Sequence, residues 1–103
     1  MLYAEAAHRI AESAEKAFCE ADKKAIRNFL EGPVQEAIIR RMNKGMFSTA
    51  IEYYITSKNS EYNIQFLDRT EAGEYIKDYL AQYGFTVFFN IPHNNTILLR
   101  IFW

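Results

Sequence analysis

The first thirty residues carry the pattern that most restricts how this chain can fold. Residues 2–30 are almost all good helix formers. Small or apolar residues recur among them at spacings of three and four, which predicts one face of an α-helix: Tyr3, Ala7, Ile10, Ala14, Ala17, Ala21 and Ala25. A continuous helix of this length would extend about 40 Å. Because that is longer than the body of a domain this size, we expect part of the helix to project or to contact another chain.

The chemistry of this helix face leaves two arrangements open. Its alanines allow a neighbouring helix to approach closely, and Ile10 and Phe18 add larger contacts. The face therefore suits packing within the chain and a coiled-coil-like oligomer equally well. The chain has 103 residues and no Pro/Gly/Ser-rich linker. We predict a helical N-terminal arm over 1–31 and a compact α+β domain over 32–103, which fold as one cooperative unit.

A second, short helix is expected after Gly32-Pro33. Proline lacks the amide donor and disfavours helical geometry in the preceding residue, so this pair predicts an interruption. Pro33 then suits the first position of the new helix, and Gly45 suits its C-terminal cap. Three basic residues lie at the C-terminal end of this helix: Arg40, Arg41 and Lys44. Their simplest role is interaction with the negative end of the helix dipole, and an anion-binding or nucleic-acid-binding site is the alternative.

The remaining residues predict the order β(β)αββ, with an antiparallel sheet packed on the single helix. Alternating β-branched and aromatic residues predict a strand over 47–56, a turn over 57–60 and a short second strand with Tyr62, Ile64 and Phe66. Asp68, with Glu71 three residues later, resembles a capping box for a helix over about 69–83. Gly84 suits the C-terminal cap of that helix.

Residues 85–91 and 96–103 predict a terminal β-hairpin. A three-residue loop over 93–95 separates polar from apolar side chains better than a two-residue turn, and it puts Asn95 in a left-handed bulge position. The predicted core face contains Phe85, Val87, Phe89, Ile91, Ile97, Leu99, Ile101 and Trp103. Phe88, Leu98 and Phe102 fall on the opposite face, so we expect the long helix or another subunit to cover it.

Several segments together resemble a family of small, uncharacterised proteins encoded in tailed-phage genomes. They are residues 1–7 (Met-Leu-Tyr-Ala-Glu-Ala-Ala), the charged helix behind them, residues 34–45, the strand after these, residues 80–87 and the closing Ile101-Phe102-Trp103. The resemblance covers nearly the whole chain. It implies a phage or prophage origin, and hence a place in the cytoplasm of the infected bacterium or in the phage particle. It supplies no catalytic residues.

The residue types that enzymes need do not form a recognisable set. His8 and His93 have no nucleophile motif around them, and Cys19 lacks metal-ligand or redox spacing. No phosphate-binding, dinucleotide or zinc motif is present. We therefore expect a protein that is not an enzyme and binds no cofactor or metal. No apolar run approaches a membrane span, and the N-terminus does not resemble a signal peptide, so we expect a soluble protein that is not secreted.

The leading functional hypothesis is self-association or docking on a larger protein assembly. Tyrosines are enriched at interfaces, and the chain has 7 of them. The candidate interface residues are Tyr3, Ala7, Ile10, Ala14, Phe18, Phe88, Leu98 and Phe102. One alternative is an inhibitor of a host defence factor, or a protein that sequesters a nucleotide signal at Arg40, Arg41 and Lys44. Nucleic-acid binding is less favoured, because 12 Lys+Arg against 13 Asp+Glu leave no overall basic field.

Overall fold

The computed structural model describes residues 3–56 and 60–103 and shows an α+β arrangement. Helix α1 (Ala4–Phe29) continues through a π-helical turn (Leu30–Val34) into α2 (Gln35–Met42). Strand β1 (Ser48–Tyr54), a 3-10 turn (Ser60–Tyr62), helix α3 (Arg69–Ala81) and strands β2 (Thr86–His93) and β3 (Thr96–Phe102) follow. Leu2, where the first helix was predicted to begin, and most of the turn predicted over 57–60 lie outside the described residues.

The three strands form one antiparallel sheet in the order β1-β3-β2. Helix α3 packs on β2, and the last turns of α1 join the same core. The most deeply buried large side chains include Ile26 of α1, Tyr53 of β1, Ile76 of α3 and Leu99 of β3. The segment predicted as an arm, 1–31, therefore contributes its last turns to the hydrophobic core.

The predicted interruption at Gly32-Pro33 was wrong, because the helix runs on through this pair. Pro33 lies inside the π-helical turn, and α2 begins only at Gln35. Leu30 and Val34 are both buried on either side of the proline. We attribute the continuity to this packing, together with the wider hydrogen-bonding pattern of a π-helix, which tolerates the missing amide donor.

The caps of the two later helices agree with the sequence. The Asp68 carboxylate accepts the N–H of Glu71 at 2.8 Å and so begins α3. Gly45 and Gly84 have φ of 76° and 88°, in the left-handed region that glycine adopts without strain. After Gly84, the N–H of Phe85 bonds back to the carbonyl of Leu80 at 3.2 Å, as in a Schellman motif.

The short strand predicted around Tyr62, Ile64 and Phe66 does not form among the described residues. A 3-10 turn occupies Ser60–Tyr62, and no strand follows it before α3. The N–H groups of Gln65 and Phe66 bond to the Asp22 carboxylate of α1. Because these donors are engaged by a side chain, they do not enter a strand ladder.

For the hairpin, the predicted core face agrees with the structure and the predicted three-residue loop is wrong. Val87, Ile97, Leu99 and Ile101 of the predicted core face are buried, and the other four residues of that face are half-buried. His93 pairs with Thr96, so the turn has two residues, and a register shift between Asn90 and His93 absorbs the extra residue. Asn95 is not left-handed, since no described residue other than glycine has a positive φ. A bulge keeps the faces in register as well as a longer loop does.

Candidate functional site

The N-terminal part of α1 projects from the core. Between Tyr3 and Ala21 every residue is exposed except Ala6 and Cys19, which are half-buried. Asp22 is the first buried residue of the helix. The molecule measures 64 × 28 × 21 Å, as expected when one element extends beyond the rest. We call residues 3–21 the arm.

The arm carries an uncovered apolar stripe. Its six positions alternate spacings of four and three, the repeat of a coiled-coil seam: Tyr3, Ala7, Ile10, Ala14, Ala17 and Ala21. Tyr3 is 83% exposed and Ile10 is 61% exposed. Phe18 lies beside the stripe and is 55% exposed, with its ring stacked on Phe66 at a centroid distance of 6.0 Å. We call the six positions from Tyr3 to Ala21, without Phe18, the arm stripe.

The other side of the arm is polar and contains two close side-chain contacts. His8 Nε2 lies 2.9 Å from Glu12 Oε1, and Arg9 Nη2 lies 4.0 Å from Glu5 Oε1, both at i,i+4 spacing. Exposed pairs of this kind contribute only a few tenths of a kcal/mol each. Helical stability in proteins comes mainly from packing of an apolar face, and the arm stripe has no such packing within the described chain.

The other predicted interface residues form a separate surface. Phe88 and Phe102 lie on the sheet face opposite the core, with ring centroids 5.8 Å apart. They are 59% and 40% exposed, and Leu98 beside them is half-buried. The long helix leaves this face open, so the predicted cover from the same chain is absent among the described residues. The structure does not join this patch to the arm stripe.

The predicted basic residues lie at the C-terminal end of α2. Arg40 and Lys44 are exposed and Arg41 is half-buried, and none of the three has an ion pair among the described residues. The carbonyls of Arg41 and Met42 accept the N–H groups of Met46 and Gly45. This arrangement fits favourable interaction with the helix dipole.

A buried carboxylate that accepts three backbone hydrogen bonds, Asp22, was not identified from the sequence. Asp22 accepts backbone N–H groups from Gln65 at 3.0 Å, Phe66 at 2.6 Å and Leu67 at 2.7 Å. Burial raises the pKa of the neighbouring Tyr53 hydroxyl, and the Asp22 charge raises it further. The sequence contains no local signal for this contact, because the donors lie more than forty residues away.

A polar row at the end of the long first helix faces a tyrosine row along α3 and just after it. The polar row is Lys23, Arg27 and Glu31, and the tyrosine row is Tyr75, Tyr79 and Tyr83. Arg27 Nη1 donates to the Tyr75 hydroxyl at 3.0 Å, and Lys23 Nζ lies 5.8 Å from the Tyr75 ring centroid. The Tyr79 hydroxyl donates to Glu31 Oε1 at 3.1 Å. Both rows repeat every four residues, a spacing visible in the sequence. The contacts between the two rows hold the last turns of α1 against α3, and the arm extends beyond them.

No family model, no curated protein and no solved structure matches the chain. The described residues contain no group of three or more His, Cys, Asp or Glu side chains arranged to hold a metal ion. None of the described helices is both long and apolar enough to cross a membrane.

Proposed function

We infer that this chain is a non-enzymatic binding protein that self-associates through the arm stripe. One observation carries the proposal: the projecting arm exposes a continuous apolar seam that the described part of its own chain does not cover. Residues 3–21 span about 29 Å at 1.5 Å per residue, enough for five turns of helix pairing. Large uncovered apolar surfaces typically mark interaction sites.

The size pattern of the seam favours an antiparallel pair of arms. In that orientation positions that sum to 24 face each other, which sets Tyr3 against Ala21, Ala7 against Ala17 and Ile10 against Ala14. Every large side chain then meets an alanine of the other copy, as close packing of layers requires. In an antiparallel coiled coil an a position of one helix likewise faces a d position of the other.

The residues flanking the seam fit the same orientation. Phe18 and Ala4 each follow a position of the arm stripe by one residue, so they flank the seam rather than lie in it. In the antiparallel pair Phe18 comes to lie near Ala4 of the other copy, again large against small. The charged residues Glu5, Arg9 and Lys16 remain on the outer side in contact with water. A parallel pair would instead place Tyr3 against Tyr3 and Ile10 against Ile10, with one layer of paired alanines between them and three more after Ile10. Such a seam is crowded at two layers and underpacked at the other four, which we expect to weaken the parallel pair.

The test is the mass in solution, measured by size-exclusion chromatography with light scattering. We expect twice the chain mass of 12.1 kDa at high micromolar concentration. Ala14→Glu places a carboxylate in the seam and should give the single-chain mass, because a buried unpaired charge is costly. Lys16→Glu introduces the same group on the outer side and should leave the dimer intact.

The result of this experiment decides the proposal directly. A single-chain mass for the unsubstituted protein removes self-association. A dimer that persists in Ala14→Glu places the interface elsewhere, for example at Phe88 and Phe102. Near-ultraviolet circular dichroism of each variant, which reports the packing of core aromatic rings such as Phe29 on Tyr53, separates loss of the dimer from loss of the fold.

The resemblance to small tailed-phage proteins supports a setting for this association. We propose that the paired arms serve assembly or docking on a phage particle, with inhibition of a host factor as the alternative. Mass spectrometry of purified virions tests the choice. Detection of the chain at stoichiometric level supports a particle component, and its presence only in infected-cell lysate supports the inhibitor.

A further inference from the structure

A cleft of about 570 Å³ lies between the π-helical turn and α2 on one side and the end of α3 on the other. Leu30, Ile38, Leu80 and Phe85 form its apolar wall. Leu30 and Leu80 are buried in the core, and Ile38 and Phe85 are half-buried, while the mouth opens to solvent. The volume falls within the range of about 300–1,000 Å³ typical of small-molecule sites. The cleft is separate from the arm stripe.

The π-helical turn shapes one side of the cleft. Leu30 and Glu31 both line it and both belong to that turn. A π-helical turn inserts one residue relative to an α-helix and is found often at functional sites. Here the turn presents the Glu31 carboxylate next to the end of the tyrosine row of α3.

The polar groups of the cleft have one sign of charge. Glu31 is a carboxylate, and the described residues that line the cleft include no lysine or arginine. Tyr79 and Tyr83 present two rings with centroids 5.6 Å apart. The Glu31 carboxylate accepts the Tyr79 hydroxyl and has no salt bridge among the described residues.

The protonation state of Tyr79 suits this arrangement. Burial, the neighbouring Tyr83 hydroxyl and the Glu31 carboxylate together raise the pKa of Tyr79 to about 12. The phenol is therefore neutral at physiological pH, donates to Glu31 and keeps an uncharged ring. A neutral ring attracts cations through its π face.

We propose that this cleft binds a small organic cation, an ammonium or quaternary ammonium group attached to an apolar body. The cationic head lies between the Glu31 carboxylate and the rings of Tyr79 and Tyr83. The apolar body fills the wall formed by Leu30, Leu80 and Phe85. An anionic ligand of the same shape is excluded, because it would meet the carboxylate without any basic side chain to pair with.

Three probes with the same benzyl body test the charge preference: benzyltrimethylammonium, benzyl alcohol and phenylacetate. Binding is followed by NMR titration of the full chain, through backbone amide shifts of Leu30, Glu31, Tyr83 and Phe85. We expect benzyltrimethylammonium to bind at least about tenfold more tightly than benzyl alcohol, because it adds a cation–π contact and a charge attraction to the Glu31 carboxylate. Phenylacetate should give no saturable shift at these residues.

Variants assign the effect to named groups. Glu31→Gln should weaken benzyltrimethylammonium about fivefold or more while leaving benzyl alcohol unchanged, because only the charge is removed. Glu36→Gln removes an exposed carboxylate of the neighbouring helix that does not line the cleft, and it should change nothing. Tyr83→Leu should weaken the cation more than the alcohol.

Either of two outcomes overturns the proposal. Equal affinity for the cation and the alcohol would show that the cleft recognises only apolar shape. Equal loss of affinity in Glu31→Gln and Glu36→Gln would show a general effect of net charge. The oligomeric state of the chain affects neither result, since the cleft lies outside the arm.

Discussion

Asp22 shows how one side chain connects two distant parts of this chain. Only 5% of its surface is exposed, yet it accepts three backbone N–H groups from residues 65–67. Hydrogen bonds to a charged acceptor are shorter and stronger than neutral ones. The segment leading into α3 therefore depends on a single carboxylate of α1.

Asp22→Asn should lower the free energy of unfolding by about 2–3 kcal/mol. The amide keeps the shape of the side chain but offers one oxygen and turns an N–H₂ group toward backbone donors, which leaves buried N–H groups unsatisfied. Urea denaturation followed by circular dichroism measures the change. Asp78→Asn, an exposed carboxylate of α3, should stay within about 0.5 kcal/mol of the unsubstituted chain. A similarly small effect of Asp22→Asn would contradict this role.

The sequence could not reveal Asp22 because its partners are backbone groups far along the chain. Local signals were more informative where the physics is local. Asp68 caps the helix that follows it, and Gly45 and Gly84 end helices by adopting positive φ, as their positions predict. A pairing between a side chain of α1 and a loop more than forty residues later has no such pattern.

At the level of elements, α3 approaches the sheet closely because of Gly73. A Cβ built at Gly73 would lie 2.7 Å from Cζ of Phe89, inside any real contact distance. Gly73 does not have a positive φ, so glycine is not needed here for its backbone conformation. It is needed because it has no Cβ and leaves room for the Phe89 ring. Ala72 and Ile76 on the same helix are buried against the strands. The glycine thus sets the separation between α3 and β2.

Gly73→Ala should destabilise the fold by about 1–3 kcal/mol, although alanine is the better helix former. The added methyl group forces the Phe89 ring to move. Phe89→Leu in the same chain should recover a large part of the loss, and the coupling energy should exceed about 0.5 kcal/mol in a double-mutant cycle. Additive effects of the two substitutions would show that the contact does not limit the packing.

The wrong element predictions have two physical causes: a tertiary contact that overrides a local preference, and a local pattern that fits two structures. Gly32-Pro33 is a strong local signal for a helix end, but Leu30 and Val34 are buried on both sides of it and hold the helix together. The hairpin loop was predicted from side-chain alternation alone. Alternation determines which face of the sheet a residue occupies. A bulge and a three-residue loop both accommodate one extra residue and give the same faces, so alternation does not distinguish them.

The arm stripe could be predicted from the sequence more readily than the contacts in the core. The spacing of Tyr3, Ala7, Ile10 and Ala14 is visible without a structure, and the excess length of the helix already predicts projection. The sequence left open whether the stripe packs within the chain. The exposure of the arm answers that question for the described residues.

At the level of the whole molecule, the long axis of 64 Å includes an arm of about 29 Å. Antiparallel pairing of two arms would place the two cores at opposite ends, where they do not collide. A parallel pair would bring both cores to the same end of the arms and require a second contact between them. Orientation therefore decides whether the assembly is a two-lobed rod or a compact dimer.

Cysteine cross-linking measures that orientation. In a Cys19→Ser background, we expect chains with Ala7→Cys mixed with chains carrying Ala17→Cys to form a disulfide-linked dimer, because positions 7 and 17 face each other in the antiparallel pair. Alanine-faced helices approach closely enough for the short Cα separation that a disulfide requires. Ala7→Cys chains alone should stay monomeric on a non-reducing gel. Ready cross-linking of those chains alone would instead establish the parallel orientation, in which position 7 faces itself.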